Sequence, residues 1–286
     1  MKTHRTEATW KRSLKFGISL AVYGLSATAT LLGRLLGKRR QASCVVLYYH
    51  SIPPDERNLF ANQLDVIRRH ATPLRLDGTV APQPGVRYVG ITFDDAIENF
   101  VDCALPELAK RQMPAAVFVI SDAIGRSFGL PGQREKVMSL EQIRALPREL
   151  VTIGSHTLTH PMLPLINEQR ARLEIRESRA RLEELLGREI MLFSFPFGGF
   201  NDELIDLCRE AGYRRVFTTL PLLASMDPKT FVVGRVWAEP TDWPLEFRLK
   251  IAGAYRWLPF AFALKQRLMV GRLGVQFPAV TRSRIT

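Results

Sequence analysis

Residues 86–95 read VRYVGITFDD, an apolar run that ends on two adjacent aspartates. A short apolar run rich in β-branched and aromatic side chains predicts a buried strand. Two carboxylates at the end of a buried strand are costly to place unless a cation neutralises them. Asp94 and Asp95 therefore indicate a metal site. The alternative is that Asp95 caps a following helix while Asp94 makes a surface contact.

Strand and helix patterns alternate along the chain on both sides of this stretch. Apolar runs predict further strands at residues 44–49, 115–120, 151–154, 190–195, 214–218 and 231–233. Helical spacing predicts helices at residues 60–70, 98–111, 140–146, 166–186 and 202–211, the last two followed by Gly187 and Gly212, where helices favour glycine. This alternation predicts a parallel sheet covered by helices, either doubly wound or closed into a barrel.

Polar residues follow directly on several of the predicted strands. The polar residues are His50, the Asp94 and Asp95 pair and His156. The turn at residues 197–199 also follows a predicted strand. In parallel α/β folds the functional site collects at the carboxyl ends of the strands. We therefore expect these residues to meet at one edge of the sheet.

Two histidines four residues apart lie in the segment SHTLTHP at residues 155–161. The chain has only five histidines, and a histidine pair at this spacing is by itself a weak signal. Together with Asp95, His156 and His160 make a site of two histidines and one carboxylate that leaves positions open, as hydrolytic metal sites require. We expect a divalent metal there, zinc first, with nickel and cobalt as alternatives.

A family resemblance rests on three motifs in order: TFDD at residues 92–95, SHTLTH at residues 155–160 and FPFG at residues 195–198. They resemble the first three motifs of NodB-type polysaccharide deacetylases, carbohydrate esterase family 4, over about residues 43–257. The resemblance implies an α/β fold, the distorted (β/α) barrel of the polysaccharide deacetylase type. It also implies a carbohydrate N-deacetylase.

The resemblance implies a role for each matched residue. Asp94 corresponds to the general base, and Asp95, His156 and His160 correspond to the metal ligands. In the FPFG turn, Pro196 and Phe197 line the substrate, and the Phe197 amide corresponds to an oxyanion donor. The roles of the motif residues thus agree with the metal site indicated by the residue types alone.

The acid that protonates the departing amine needs a separate hypothesis. In much of the family it is a histidine of a late motif, but no histidine follows His160 here. The segment YYHS at residues 48–51 resembles the first strand of a circularly rearranged branch of the family, typified by deacetylases of bacterial poly-N-acetylglucosamine. We hypothesise that His50 is the general acid. A structural histidine at a strand end is the alternative.

Two further positions depart from or extend the family pattern. The third motif begins with Ser194 or Phe195 where many members carry an arginine that orients the base, and Arg235 is a candidate replacement. Trp243, which follows Asp242, resembles the tryptophan of a later motif that walls the acetate pocket. Arg235 in a structural salt bridge and Trp243 in the core or facing a membrane are the alternatives.

Positive charge is concentrated at the two ends of the chain. Residues 1–42 carry nine Lys or Arg and one acid, and residues 248–286 carry eight and no acid, which leaves 23 basic and 27 acidic residues between them. Chain ends that are both basic and apolar suit an anionic membrane surface better than a nucleic acid. We therefore do not expect a nucleic acid as a partner. The expected division is a membrane-associating or signal segment at 1–42, a deacetylase domain at 43–257 and a basic, apolar tail at 258–286.

Residues 16–33 contain no charged side chain, and three interpretations stay open. The segment is long enough for a membrane-spanning signal anchor, it contains the small-residue pattern of a cleavable signal peptide, and it also suits an in-plane helix. Residues 255–277 likewise suit an in-plane membrane helix or a core-packing helix. We expect attachment to a bacterial inner membrane, with the periplasmic or cytoplasmic side open.

The expected function is a metal-dependent hydrolase that removes N-acetyl groups from amino sugars of a bacterial surface polysaccharide or glycolipid. One alternative is a deacetylase of a lipid-linked sugar precursor. Another is a catalytically silent glycan-binding protein on the same fold, which a large separation between His50 and the metal cluster would favour.

Overall fold

A computed structural model describes residues 9–129, 132, 134–227 and 229–261. Within them the helices are α1 (Thr9–Leu35), α2 (Arg57–His70), α3 (Leu105–Lys110), α4 (Leu140–Ala145), α5 (Glu168–Leu186), α6 (Asp202–Glu210) and α7 (Pro244–Ile251). The strands are β1 (Ser43–Tyr49), β2 (Thr72–Pro73), β3 (Arg87–Phe93), β4 (Ala115–Val119), β5 (Ser127–Phe128), β6 (Glu135–Lys136), β7 (Val151–Ser155), β8 (Leu192–Ser194), β9 (Arg215–Phe217), β10 (Val232–Val233) and β11 (Val236–Trp237).

The main sheet is parallel throughout, and its strands follow one another in space as β10, β9, β8, β7, β4, β3, β1 and β11, with β2 also on β3. Its two ends, β10 and β11, are joined in the chain by only two residues, Gly234 and Arg235. The sheet must therefore curl until its ends lie close together, with a seam between β10 and β11. The distorted (β/α) barrel predicted from the sequence is confirmed.

Side chains of the central strands alternate between two apolar clusters. On β1, Val45 and Leu47 face the larger cluster beneath the surrounding helices, whereas Cys44 and Val46 belong to a smaller cluster with Phe118 and other side chains from β3, β4, β8, β9 and β10. Alternation with a period of two is the geometry of a strand with both faces covered. Burial on both faces explains why these strands are apolar without interruption.

Five helices match helices predicted from the sequence, with one internal exception. Residues 98–111 were predicted as one α-helix, but a π-helical segment at Phe100–Ala104 precedes α3. Pro106 has no amide hydrogen to donate to the carbonyl of Asp102, so the regular hydrogen-bond ladder cannot continue through this point. Gly187 ends α5 in the left-handed conformation, with φ of 61°, as its position predicted.

The ends of the chain are described in part. α1 packs beside α7, and Phe16 and Trp257 lie against an apolar cluster of Leu249, Tyr255 and their neighbours. Burial of Tyr255 and Leu258 in this cluster favours the core-packing interpretation for these two residues, whereas Phe260 is exposed. The rest of the predicted tail, residues 262–286, lies outside the described residues, and the three-part division of the chain stays a prediction.

Candidate metal and catalytic site

Three potential metal ligands meet at the carboxyl edge of the sheet. Asp95 follows β3, and His156 and His160 follow β7. The Nε2 atoms of His156 and His160 lie 3.5 and 3.4 Å from Asp95 Oδ1, and the three ligand atoms all lie within 4.8 Å of one another. Atoms bound to one tetrahedral zinc lie about 3.4 Å apart, since each is about 2.0–2.1 Å from the metal. The spacing therefore fits a divalent cation.

Hydrogen bonding prepares His156 to act as a ligand. Its Nδ1 lies 2.8 Å from the carbonyl oxygen of Ser194. A carbonyl only accepts, so Nδ1 must carry the proton and Nε2 presents its lone pair to the cluster. This arrangement is typical of histidines that bind metals, whose second nitrogen is held by a backbone carbonyl or a carboxylate.

The loop that carries His160 is held by Glu174 of α5. The Glu174 carboxylate accepts hydrogen bonds from the backbone amides of Leu158 and Thr159, at 3.0 and 2.8 Å, and from the Thr159 hydroxyl at 2.6 Å. Glu174 is fully buried. Sequence reasoning missed this residue, although it falls on the apolar face of α5 with Ala171 and Ile175, where an acid signals a specific partner.

Strained backbone is concentrated around the same cluster. Six non-glycine residues in the described part of the chain have a positive φ, and five of them are Asp95, Ala96, Thr157, His160 and Phe197. The left-handed region is uncommon for residues with a Cβ and costs free energy. Its clustering here indicates that the surrounding structure holds these residues in place for a purpose other than stability.

The electrostatics of the cluster favour a bound cation. Burial, followed by the charges of Asp94 and Glu135, raises the pKa of Asp95 to about 8. Burial lowers the pKa of His156 to about 4 and that of His160 to about 3, so both are neutral ligands at pH 7. Asp95 Oδ1 is buried and makes no hydrogen bond with the described residues. A cation at this position would satisfy that oxygen and the two imidazoles together.

Asp94 faces the barrel interior and pairs with Arg235. The two guanidinium nitrogens of Arg235 donate to the two carboxylate oxygens at 2.7 and 2.8 Å, a bidentate pair between side chains that are both buried. Burial alone would raise the pKa of Asp94, but the charge and hydrogen bonds of the Arg235 guanidinium hold it well below its usual range. Asp94 is therefore a carboxylate at neutral pH.

Arg235 reaches this position because it lies in the seam between β10 and β11. Its guanidinium also donates to the Thr92 and Ser194 hydroxyls at 3.0 and 2.7 Å, and to the Thr218 carbonyl at 3.2 Å. Its Cζ lies 4.8 Å from the ring centre of Tyr48. The structure thus brings Arg235 to the aspartate that it was predicted to orient, from a different part of the chain than the third motif.

His50 lies beside Asp94 at the same edge. It follows β1, which pairs with β3 so that Tyr49 and Phe93 are partners, and the Asp94 amide donates to the Tyr49 carbonyl at 2.9 Å. The two residues therefore leave adjacent strands at the same level. His50 is close enough for its charge to lower the pKa values of Asp94 and His160. The structure brings the predicted acid to the predicted base.

The tryptophan near the site is Trp237 and not Trp243. The Trp237 ring, half-exposed at the end of β11, lies 6.3 Å from the His50 ring and 6.2 Å from the Tyr48 ring. Trp243 instead packs against Phe16 and under Arg12 of α1. The structure corrects the placement of Trp243, because the turn after β11 carries it to the outside of the barrel. Because β11 has only two residues, the sequence pattern does not show that Trp237 lies at the end of a strand.

The turn at Pro196–Gly198 closes another side of the cluster. Phe197 adopts φ of 56°, is 63% exposed, and its ring lies 4.7 Å from that of His160. Gly198 has φ of +67°, and a Cβ there would meet the Thr219 hydroxyl at 1.8 Å, so only glycine fits. The structure brings Phe197 beside His160 of the three-ligand cluster. Its predicted role as an oxyanion donor, with Pro196, stays a prediction.

Three comparisons connect this site to known proteins. Residues 81–216 match the family model described as "Polysaccharide deacetylase". YxkH of Bacillus subtilis (strain 168), provisionally named a polysaccharide deacetylase, is 28% identical over 158 residues, which cover 55% of this chain and 54% of that protein. PdaC of the same organism, a peptidoglycan-N-acetylmuramic acid deacetylase, is 29% identical over 125 residues, 42% of this chain and 24% of that protein.

The solved structure of IcaB from Ammonifex degensii has the same fold. It superposes with a TM-score of 0.61 at 26% identity, covering 76% of this chain and 98% of that chain. The chain spans about half the length, or less, of the curated relatives that it matches. The family match at residues 81–216 contains Asp94, Asp95, His156, His160 and Phe197.

Proposed function

The chain carries a domain of the polysaccharide deacetylase family, and from this premise we propose that it is a metal-dependent carbohydrate N-deacetylase. The observation that carries the proposal is the three-ligand cluster of Asp95, His156 and His160 beside a buried, ionised Asp94. A hydrolytic site needs a place for a cation with open positions and a base next to it. Both are present at one edge of the barrel.

The metal would be held by Asp95, His156 and His160, with zinc the first candidate and nickel and cobalt the alternatives. A divalent cation supplies Lewis-acid chemistry, polarising an amide carbonyl and lowering the pKa of a water. Glu174 keeps the loop of His160 in position, and the Ser194 carbonyl keeps the tautomer of His156.

Asp94 and His50 divide the proton transfers in this proposal. Asp94 is ionised and held in one orientation by Arg235, so it accepts the proton of the attacking water. The water adds to the acetamide carbonyl carbon, and the Phe197 amide donates to the oxygen that becomes negative. His50 then gives a proton to the nitrogen as its bond to carbon breaks, which releases acetate and a free amine.

The proposed substrate is an N-acetylated amino sugar in a bacterial surface polysaccharide or glycolipid. PdaC, whose name specifies a peptidoglycan sugar, supports a cell-surface glycan. Trp237 and Phe197 offer exposed aromatic faces on two sides of the cluster. Such amphipathic rings suit a ligand that is partly apolar and partly polar.

We further propose attachment to a bacterial inner membrane, with an anionic lipid surface as partner and no nucleic acid. Support comes from α1, the one helix in the described residues that is long and apolar enough to cross a membrane, and from the basic ends of the chain. The alternative of a lipid-linked sugar precursor as substrate rests on the same support. The position of His50 next to Asp94 supports an active enzyme over a silent glycan-binding protein.

Acetate release from N-acetylated oligosaccharides tests the activity, with metal content measured on the same preparations. We expect the wild type to bind about one divalent ion per chain and to release acetate. Asp94→Asn should keep the metal and lose activity by about 10²–10⁴-fold. Asp122→Asn, a carboxylate of a partly exposed pair with Arg181, is the matched control and should behave as wild type. A metal-free or inactive wild type would overturn the proposal.

A further inference from the structure

The N-terminal helix α1 is docked along the outside of the barrel. Arg12 pairs with Glu246 of α7 at 2.7 Å, the Trp257 indole donates to the Ser19 hydroxyl at 2.9 Å, and Arg256 donates to the Ser26 hydroxyl at 2.7 Å. Residues 12, 19 and 26 are seven apart and lie on one face of a helix. The contacts therefore hold one continuous face of α1 against the body.

The docked face of α1 carries both polar residues and an apolar one, Phe16, whereas the outer face is apolar. Ser19 is the one residue of α1 that is fully buried, and Thr30 continues the same face as a half-buried residue. On the opposite side, Leu25, Leu32 and Leu35 are 72, 60 and 76% exposed. A surface helix of a water-soluble protein instead presents charged and polar residues on its outer face. The outer face of α1 therefore needs a cover that water does not provide.

Length excludes a membrane-spanning helix while these contacts are made. Residues 12–26 extend about 21 Å along the body, since a helix rises about 1.5 Å per residue. Residues 27–35 then supply about 14 Å, whereas the hydrocarbon core of a bilayer is about 30 Å thick. α1 cannot both remain docked and cross a bilayer. Removal of α1 as a signal peptide would in turn uncover the indole of Trp257 and the guanidinium of Arg256.

Charge favours lipid over a second copy of the chain as the cover. Residues 9–43 contain no acidic side chain, and basic residues stand at both ends of α1, namely Lys11, Arg12 and Lys15 at one end and Arg34, Lys38, Arg39 and Arg40 at the other. Two such helices packed against each other in either direction would bring like charges together. An anionic membrane surface attracts both basic ends of α1, although Arg12 itself is paired with Glu246 of the body.

Other exposed apolar side chains extend the surface beside α1. Trp243 contacts Phe16 of α1, and Trp243, Leu245 and Phe260 are each more than a third exposed. Aromatic and leucine side chains with flanking basic residues are typical of helices that lie in the interfacial region of a membrane.

We infer that α1 is an in-plane membrane helix, which stays on the barrel through the face that carries Arg12, Ser19 and Ser26 and lays its apolar outer face into an anionic lipid surface. Its first turns lie beside Thr241 and Glu246, in the segment that follows site strand β11. Membrane binding thus fixes the distance of the site edge from the lipid surface. This inference concerns a binding surface and does not depend on deacetylase activity.

Vesicle flotation of the full chain tests the inference. We expect binding to vesicles of phosphatidylcholine and phosphatidylglycerol in equal parts and weaker binding to phosphatidylcholine alone. Leu25→Glu should lower the partition to mixed vesicles by at least about tenfold, because it places a charge in the apolar face. Leu173→Glu, also an exposed helical leucine but on α5, is the matched control and should bind as wild type.

Thermal unfolding in detergent checks that Leu25→Glu is folded, and we expect the wild-type midpoint. Equal vesicle binding by Leu25→Glu and wild type would overturn the inference. So would a wild type that ignores vesicles and forms a dimer through α1, detected by light scattering and abolished by Leu25→Glu.

Cysteine labelling separates an in-plane helix from a spanning one. The three native cysteines, Cys44, Cys103 and Cys208, are buried, so a new cysteine is the accessible one among the described residues. Trp10→Cys and Leu36→Cys mark the two ends of α1. An impermeant maleimide added outside sealed vesicles should label both variants to the same extent. Labelling of only one would show a spanning helix and overturn the inference.

Discussion

The site edge of the barrel and the outer face of α1 depart from ordinary burial in opposite directions. At the site, carboxylates, imidazoles and a guanidinium lie away from water; on α1, a row of leucines lies in it. Asp94, His156 and Arg235 are buried, whereas Leu25 and Leu35 are among the most exposed apolar side chains in the described chain. Each departure is unfavourable for the isolated chain in water.

The two regions differ in how far contacts within the protein offset this unfavourable burial or exposure. Arg235 neutralises Asp94 within the fold, and Glu174 satisfies three donors of the His160 loop. Asp95 has no such partner in the described chain, and neither does the outer face of α1. These uncompensated groups support the two proposals made above: a cation at the site, and an apolar phase with an anionic surface at α1.

Removal of Arg235 should have the largest effect on stability. Arg235→Met leaves Asp94 buried without its counterion, and breaking a buried pair on one side costs about 3–5 kcal/mol. Urea unfolding measures the loss. Arg181→Met, which breaks the partly exposed pair with Asp122, is the control and should cost no more than about 1 kcal/mol.

The double variant Asp94→Asn, Arg235→Met sharpens this prediction. Removing both charges should recover part of the stability lost in Arg235→Met, because no uncompensated charge then stays buried. If the single variant Arg235→Met unfolds at the same urea concentration as wild type, the buried pair is not what balances Asp94.

His50→Ala should affect chemistry and leave the metal in place. Loss of a general acid typically lowers turnover by about 10²–10⁴-fold. Acetate release at saturating metal measures turnover, and elemental analysis checks the metal content. His70→Ala is the control. It removes a histidine at the C-terminal end of α2, which is not one of the site residues, and should retain wild-type turnover. Near-normal turnover of His50→Ala would reassign the acid.

Glu174→Gln should weaken metal binding without touching a ligand. The variant keeps one oxygen that can accept from the two backbone amides, but it loses the negative charge and the second acceptor, which holds the Thr159 hydroxyl. Residues that position metal ligands typically account for about 10–100-fold in metal affinity. Competition with a chelator measures the affinity. Glu168→Gln, exposed at the start of α5, should match wild type, and unchanged affinity in Glu174→Gln would contradict the positioning role.

Much of the fold and of the metal cluster is predictable from local signals. The uninterrupted apolar runs of β1, β3 and β4 predict strands because both of their faces are covered. Asp95, His156 and His160 were predicted as a group because each follows a strand, and parallel strands bring their carboxyl ends to one edge. Those signals depend on neighbours along the chain.

The rest depends on contacts between distant parts of the chain. Glu174 looks like any helical acid until the loop of His160 folds over it, and Trp237 belongs to a strand too short to show a period. The apolar residues of α1 predicted a membrane, but its composition could not tell which face is docked. That required the contacts of Ser19 and Ser26 with residues more than two hundred positions away.

Substitutions on the two faces of α1 should have small effects, and the variant that lowers stability more should lower vesicle binding less. Ser19→Ala removes the acceptor of the half-buried Trp257 indole and should lower the free energy of unfolding in detergent by about 1 kcal/mol. Leu31→Gln, on the exposed face, should change it by less than about 0.5 kcal/mol. On anionic vesicles we expect the larger loss of binding from Leu31→Gln, because the inferred lipid face contains Leu31 and not Ser19. Thermal unfolding measures the loss of stability of each variant, and flotation measures its loss of vesicle binding. If the same variant has the larger effect in both assays, the result would contradict a docked face that contains Ser19 and an apolar lipid face that contains Leu31.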